Sequence, residues 1–193
     1  ISEYNRALME ANPVKRYNKL EAMAEMFTAY PVFWYQIGST ANSIYRNSTD
    51  EEIRDIFRDR AIKAFEKYSK LNKFNLLRHD ALTSAWALEY LELQDMAQPG
   101  SVAKAKELIK VAEDYSENSL DVIELCAFAC LRIADSSNAI RLFHRLVNEG
   151  YNANINTQIL SGLYIKAMRS SDPKRAQAAR VEYKMLSQIT DQK

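Results

Sequence analysis

The side chains able to do chemistry in this chain are few and scattered. Its two histidines, His79 and His144, stand beside Asp80 and Arg145. A histidine next to an aspartate suggests a base oriented by a carboxylate, but adjacent residues on a helix point about 100° apart and cannot make that bond directly. The two cysteines, Cys126 and Cys130, are four residues apart and share a helical face, so they could bind a metal or exchange with a disulfide. No third and fourth ligand is spaced nearby, and the pair reads as buried structural cysteine. Asp50-Glu51-Glu52 is acidic enough for a cation, yet three acids in a first helical turn are the ordinary complement of the helix dipole. The chain has no glycine-rich phosphate loop, no G-x-S-x-G and no H-E-x-x-H. It therefore reads as a protein that is not an enzyme, with no cofactor and no metal.

Charge narrows the partners. In 193 residues, Lys plus Arg number 26 and Asp plus Glu 25, a formal net charge of +1. A protein that works by neutralising phosphate or an anionic surface needs a larger excess, so neither nucleic acid nor membrane is expected as a partner. Lys104, Lys106 and Lys110, and Lys174, Arg175 and Arg180, are interspersed with Glu107, Glu113, Asp114 and Glu182, the pattern of a solvated mixed-charge face. No stretch of about 18 apolar residues runs without a charge. With no signal sequence at its start and two cysteines that are not a disulfide framework, the chain reads as cytoplasmic; its opening Ile1 in place of Met reads as a fragment of a longer protein.

The elements that must position these residues are helical throughout. Apolar residues recur at i, i+3, i+4 and i+7, for instance Ile53, Ile56, Phe57, Ala61, Ala64, Phe65, Tyr68 and Leu71 behind a capping box at Thr49-Asp50-Glu51-Glu52. Ser101, Ser119 and Ser136 each precede another such run. The expected helices span 3–11, 14–29, 32–46, 50–71, 75–95, 102–116, 120–134, 137–148, 157–169 and 173–189, with no convincing strand. The four prolines punctuate them: Pro13 and Pro31 follow helix ends, Pro99 breaks the chain, and Pro173 opens a first turn. Gly150 reads as a helix C′ residue. Gly38 and Gly162 lie inside helices, where each weakens the helix by about 1 kcal/mol relative to Ala, and so imply close helix approach.

The helices repeat in pairs. Ala61, Phe65 and Tyr68 align with Ala105, Ile109 and Ala112 and then with Ala139, Phe143 and Leu146, the leading alanines 44 and 34 residues apart. The preceding helices carry a small-residue site of their own, in Trp34-Ile37-Gly38, in Ile123-Cys126-Ala127, and in Leu160-Ser161-Gly162 with Tyr164. This arrangement resembles the tetratricopeptide repeat (TPR) family, whose helix A carries Trp, Leu-Gly and Tyr and whose helix B carries Ala, Phe and Ala. Trp34, Ile37 and Gly38 match helix A in order, with Ala41 in the tyrosine position. In the 34-residue unit from Leu120 to about Ala153, Ala127, Ala139 and Phe143 match, while Ile123 replaces Trp and Leu146 replaces Ala. The resemblance covers about residues 32–186 and departs from the family in insertions of about ten residues in the first two units, in the lack of a closing proline, and in Arg180 interrupting the last helix B.

The resemblance implies an all-α, right-handed α-α superhelix, a TPR-like solenoid of about four helix pairs plus N-terminal helices. One helical-repeat domain then occupies 1–193, with N-terminal helices in 1–31 and repeats in 32–190. It implies a concave groove lined by helix A residues: Tyr35, Gln36, Ser39, Asn42 and Ser43; Trp86, Glu89 and Tyr90; and Glu124, Leu125, Phe128, Leu131 and Arg132. In this reading Trp34, Ile37 and Ala41 face a partner helix and Tyr35 and Gln36 point elsewhere. The function implied is a non-catalytic scaffold binding a peptide or protein segment. Domains of this kind that hold acidic chaperone C-termini use Lys, Asn and Arg on helix A; only Asn42 fits that set, and Glu124 opposes it, so that ligand is not expected. The alternative is a regulatory or oligomerisation domain of a larger enzyme or GTPase-like protein; oligomeric state is left open.

Overall fold

Proline opens helices here rather than following them. In the computed structural model, which describes residues 2–73 and 80–190, Pro13, Pro31 and Pro173 each stand at the first position of a helix, where the missing N–H costs nothing. Pro13 and Pro31 thus begin helices that the sequence placed one residue later. Ser2 caps α1, but the expected caps at Thr49, Ser101, Ser119 and Ser136 are not seen; Asn12 and acids cap instead. Asp50 accepts from the N–H groups of Glu52 and Ile53, and Asp135 from that of Asn138. A carboxylate satisfies the orphan N–H groups and also meets the positive end of the helix dipole. Among the described residues there is no strand.

Two compact units make up the chain, Ile1–Tyr115 and Ser116–Lys193. The first holds α1 (Glu3–Leu8), α2 (Pro13–Glu21), α3 (Pro31–Asn47), α4 (Glu51–Asn72), α5 (Asp80–Glu92) and α6 (Ser101–Asp114). Helix α2 ends eight residues earlier than expected. The chain from 22 to 29 continues as turns, with Tyr30 donating to Phe27 and Trp34 Nε1 to the Thr28 carbonyl at 3.2 Å. Leaving the helix lets Phe27 stack on Phe33 at 4.8 Å, with Tyr4 against both rings. Packing three aromatic rings against one another, with Phe33 fully buried, outweighs the lost helical turns. The expected helix 75–95 is seen as α5; residues 74–79, His79 among them, lie outside the described residues.

Helices α3 and α4 form a tight antiparallel hairpin: Tyr45 meets Arg54 near the turn, and Trp34 meets Lys67 at the far end. The closest point is Gly38, where a Cβ atom would lie 2.4 Å from two carbons of the Phe65 ring. Helix α5 returns antiparallel to α4, with Trp86 Nε1 donating to the Phe65 carbonyl at 3.1 Å and Arg58 to the Leu93 carbonyl at 2.8 Å. That places α5 parallel to α3. Helix α6 packs on α5 through Ser84, whose hydroxyl donates to the Ala112 carbonyl at 2.8 Å.

The second unit holds α7 (Leu120–Arg132), α8 (Ser136–Asn148), α9 (Ala153–Met168) and α10 (Pro173–Thr190). Each helix packs against the next in sequence. Gly150, at φ +69°, closes α8 in a Schellman turn: its N–H reaches the Val147 carbonyl, and that of Tyr151 reaches Leu146. Ala134, at φ +59°, closes α7 in the same way, with Asp135 donating to the Cys130 carbonyl. Helix α9 begins four residues earlier than expected, and α10 runs unbroken through Arg180, which faces outward.

The residues that align between helices α4, α6 and α8 are core in both units. Ala61, Phe65, Tyr68, Ala105, Ile109, Ala112, Ala139, Phe143 and Leu146 are all 5% exposed or less. Ala127 is fully buried, but Gly162 is exposed, and a Cβ there would meet nothing within 4 Å. The expected close approach at Gly162 is absent because Leu160 and Tyr164 are the residues of α9 turned inward, and Gly162 lies about 200° round the helix from Leu160.

Candidate functional site

In the first unit the expected groove residues find one another. Tyr35, Ser39, Asn42 and Arg46 form one stripe along α3, and α5 lies beside it with Glu89 and Glu92 one turn apart. Glu89 accepts from Tyr35 Oη at 2.8 Å, from Ser39 Oγ at 3.1 Å and from Asn42 Nδ2 at 3.5 Å. Glu92 accepts from Asn42 Nδ2 and from Arg46, each at 3.3 Å. Asn42 is buried, and its Oδ1 has no partner. Burial, reinforced by the Glu89 charge, drives the Tyr35 phenol well above its ordinary range.

Behind this stripe lies an aromatic layer. The Tyr35 ring lies 6.2 Å from Phe65 and 6.0 Å from Tyr68, and Trp86 lies 5.5 Å from Tyr68 and 5.8 Å from Tyr90. Tyr35, Trp86 and Tyr90 are 9% exposed or less. Tyr35 therefore does not point away from the partner helices, and these three rings are interior contacts that a ligand could reach only by opening the core. Tyr90 donates to Glu66 at 3.4 Å, and its phenol is pushed up to about 12, by burial first and that carboxylate second. Gln36 is half-buried.

The second unit presents a different surface. The exposed residues of α7 are Asp121, Leu125, Phe128 and Arg132, spaced four, three and four apart, which places them in one stripe. Leu125 is 55% and Phe128 43% exposed, although the Phe128 ring rests edge-on against Phe143 at 5.4 Å. Leu131 is half-buried. Glu124 is held beside the stripe by Asn156 Nδ2 at 2.9 Å and Asn152 Nδ2 at 3.1 Å. Tyr151 donates its hydroxyl to Asp121, and that bond pushes the Tyr151 phenol up to about 12.

Sequence reasoning missed Asn152, Asn156 and Tyr151, which orient the acids of α7. The signal for Asn156 was present: it lies four residues before Leu160 and eight before Tyr164, on the buried stripe of α9, and is itself fully buried. A polar residue on a core stripe needs a polar partner. Tyr151 and Asn152 belong to the turn before α9, whose position no periodicity reveals.

The remaining candidates stay apart. Cys126 and Cys130 are buried thiols, as expected of structural cysteines, and are not joined to each other. Among the described residues no group of three or more His, Cys, Asp or Glu is placed to hold a metal ion, and no helix is long and apolar enough to cross a membrane. His144 is half-exposed; its Nδ1 lies 3.0 Å from Asn148 Nδ2 and its Nε2 lies 3.9 Å from Glu182. Lys104 pairs with Glu107 on the surface of α6 at 3.1 Å. Comparison of the chain with protein-family models, with curated proteins and with solved structures finds no match to any of them.

Proposed function

We propose that this chain is a non-catalytic interaction scaffold, a right-handed TPR-like array of about four helix pairs with N-terminal helices, that docks a peptide or protein segment on its helix A face. The repeat reading is supported by the aligned Ala-Phe-Tyr, Ala-Ile-Ala and Ala-Phe-Leu sites, all buried, and by the glycine contact between Gly38 and Phe65. The observation that carries the binding reading is the outward pair Leu125 and Phe128 on α7, a leucine and an aromatic ring each about half exposed beside carboxylates fixed in place. An apolar centre with an ordered polar rim is the composition of a docking surface, and holding Glu124 and Asp121 in advance lowers the ordering cost of binding. Binding then centres on Phe128, Leu125, Leu131, Glu124 and Arg132. Tyr35, Asn42, Trp86, Glu89 and Tyr90 serve as the rigid interior of the other unit.

Selection from a displayed library of random peptides tests this reading. Peptides enriched on the immobilised wild-type chain should share a motif and lose binding to the Leu125→Glu, Phe128→Ser double variant, provided its helical circular dichroism is retained. No enrichment, or equal binding to the folded double variant, overturns it.

A further inference from the structure

We infer that the α7 stripe pairs with the same stripe of a second copy of this chain, antiparallel about a two-fold axis. The inference names a partner for the docking face of α7 and rests on the reading of that face as a contact surface. The exposed residues Asp121, Leu125, Phe128 and Arg132 have four-three-four spacing, the seam of a two-helix coiled coil. Their order is self-complementary. A two-fold axis crossing α7 midway between Leu125 and Phe128 sets Leu125 against Phe128 of the second copy and Asp121 against its Arg132, and does so twice. Parallel pairing would instead oppose Asp121 to Asp121 and Arg132 to Arg132. Charge therefore selects the antiparallel, isologous arrangement, in which each contact made by one copy is returned by the other. The acidic end is set beforehand by Tyr151 on Asp121, with Asn152 and Asn156 on Glu124 beside it. A second copy laid antiparallel presents an opposite charge to each end of the seam and an apolar residue to its centre. Because pairing covers Leu125 and Phe128, self-association and peptide capture should exclude one another.

Sedimentation of the full chain over a wide concentration range tests the pairing. Wild type should rise from 22.2 kDa towards twice that mass as concentration increases. Leu125→Glu should stay monomeric. Asp121→Arg and Arg132→Asp should each weaken self-association about tenfold or more, whereas a mixture of those two single variants should form a heterodimer, since every charged contact is then again between opposite signs. The mixture guards against a folding artefact, because a variant that had lost its fold would not be rescued by the other. A monomeric wild type at all concentrations, self-association of Leu125→Glu equal to wild type, or a mixture no tighter than its components overturns the pairing. A monomeric wild type that still selects peptides removes the pairing alone; a dimer that selects none after dilution to monomer removes the peptide reading alone.

Discussion

Helices α3 and α7 are each the first arm of a helical hairpin, and each carries a stripe of four residues at four-three-four spacing, yet the two stripes have opposite fates. On α3 the stripe is Tyr35, Ser39, Asn42 and Arg46, and it is consumed by Glu89 and Glu92 on the parallel α5. On α7 the stripe is Asp121, Leu125, Phe128 and Arg132, and its apolar centre stays in water. Polar side chains with two carboxylates opposite them make a network that is internal around Tyr35 and Asn42 and reaches solvent only at the Arg46–Glu92 pair. Apolar side chains without a covering helix leave free energy still to be gained by burial, about 25 cal/mol for each Å² removed from water. The same helical spacing thus builds a structural seam in one unit and a candidate contact surface in the other.

The sharpest way to break this contrast is to truncate an aromatic in each place. Trp86→Ala should destabilise the first unit by about 3–5 kcal/mol, since it empties a buried site and removes the indole hydrogen bond to the Phe65 carbonyl, whereas Phe128→Ser on half-exposed α7 should cost about 1 kcal/mol or less. Urea unfolding checks both. Equal losses would mean that Phe128 is core and that α7 offers no open surface.

The glycines sharpen the comparison at smaller scale. Gly38→Ala should destabilise by about 1–2 kcal/mol net, because the new methyl group meets the buried Phe65 ring at 2.4 Å and the gain in helix propensity does not offset that overlap. Gly162→Ala should stabilise by about 1 kcal/mol, since its surroundings are open and only the helix propensity changes. Thermal melts of the two variants should therefore shift in opposite directions.

Alkali gives the smallest and most selective effect. In the folded chain Tyr90 titrates at about 12 and Tyr35 higher still, against about 10 for an unfolded phenol. The folded state keeps protons that the unfolded chain releases, so the stability these groups contribute is complete below pH 10 and declines as pH rises from there through about 12. Tyr35→Phe and Tyr90→Phe should each flatten the fall of unfolding free energy in that range.

Much of this was legible in the sequence. Apolar period and the rarity of glycine and proline set the helices, and eight of the ten expected helices match the structure to within four residues at both ends, because burial of one face dictates where apolar residues fall. The buried Ala61-Phe65-Tyr68, Ala105-Ile109-Ala112 and Ala139-Phe143-Leu146 sites were legible for the same reason. The end of α2 was not: its period continues to 29, and only Phe27 docking on Phe33 and Tyr4 explains why the helix stops. Gly162 misled because a glycine in a helix marks absent bulk without saying which side of the helix meets a neighbour.

The candidate site divides along the same line. Its residue types and the faces they share follow from 3.6 residues per turn, a local rule that needs only the chain itself. Which face is covered depends on residues about 50 positions away, as when Glu89 of α5 receives Tyr35 and Ser39 of α3. The repeat resemblance put Tyr35 and Phe128 alike in an expected groove; packing closed over the first and left the second half-exposed, because burial is a property of neighbours and neighbours exist only in the folded chain.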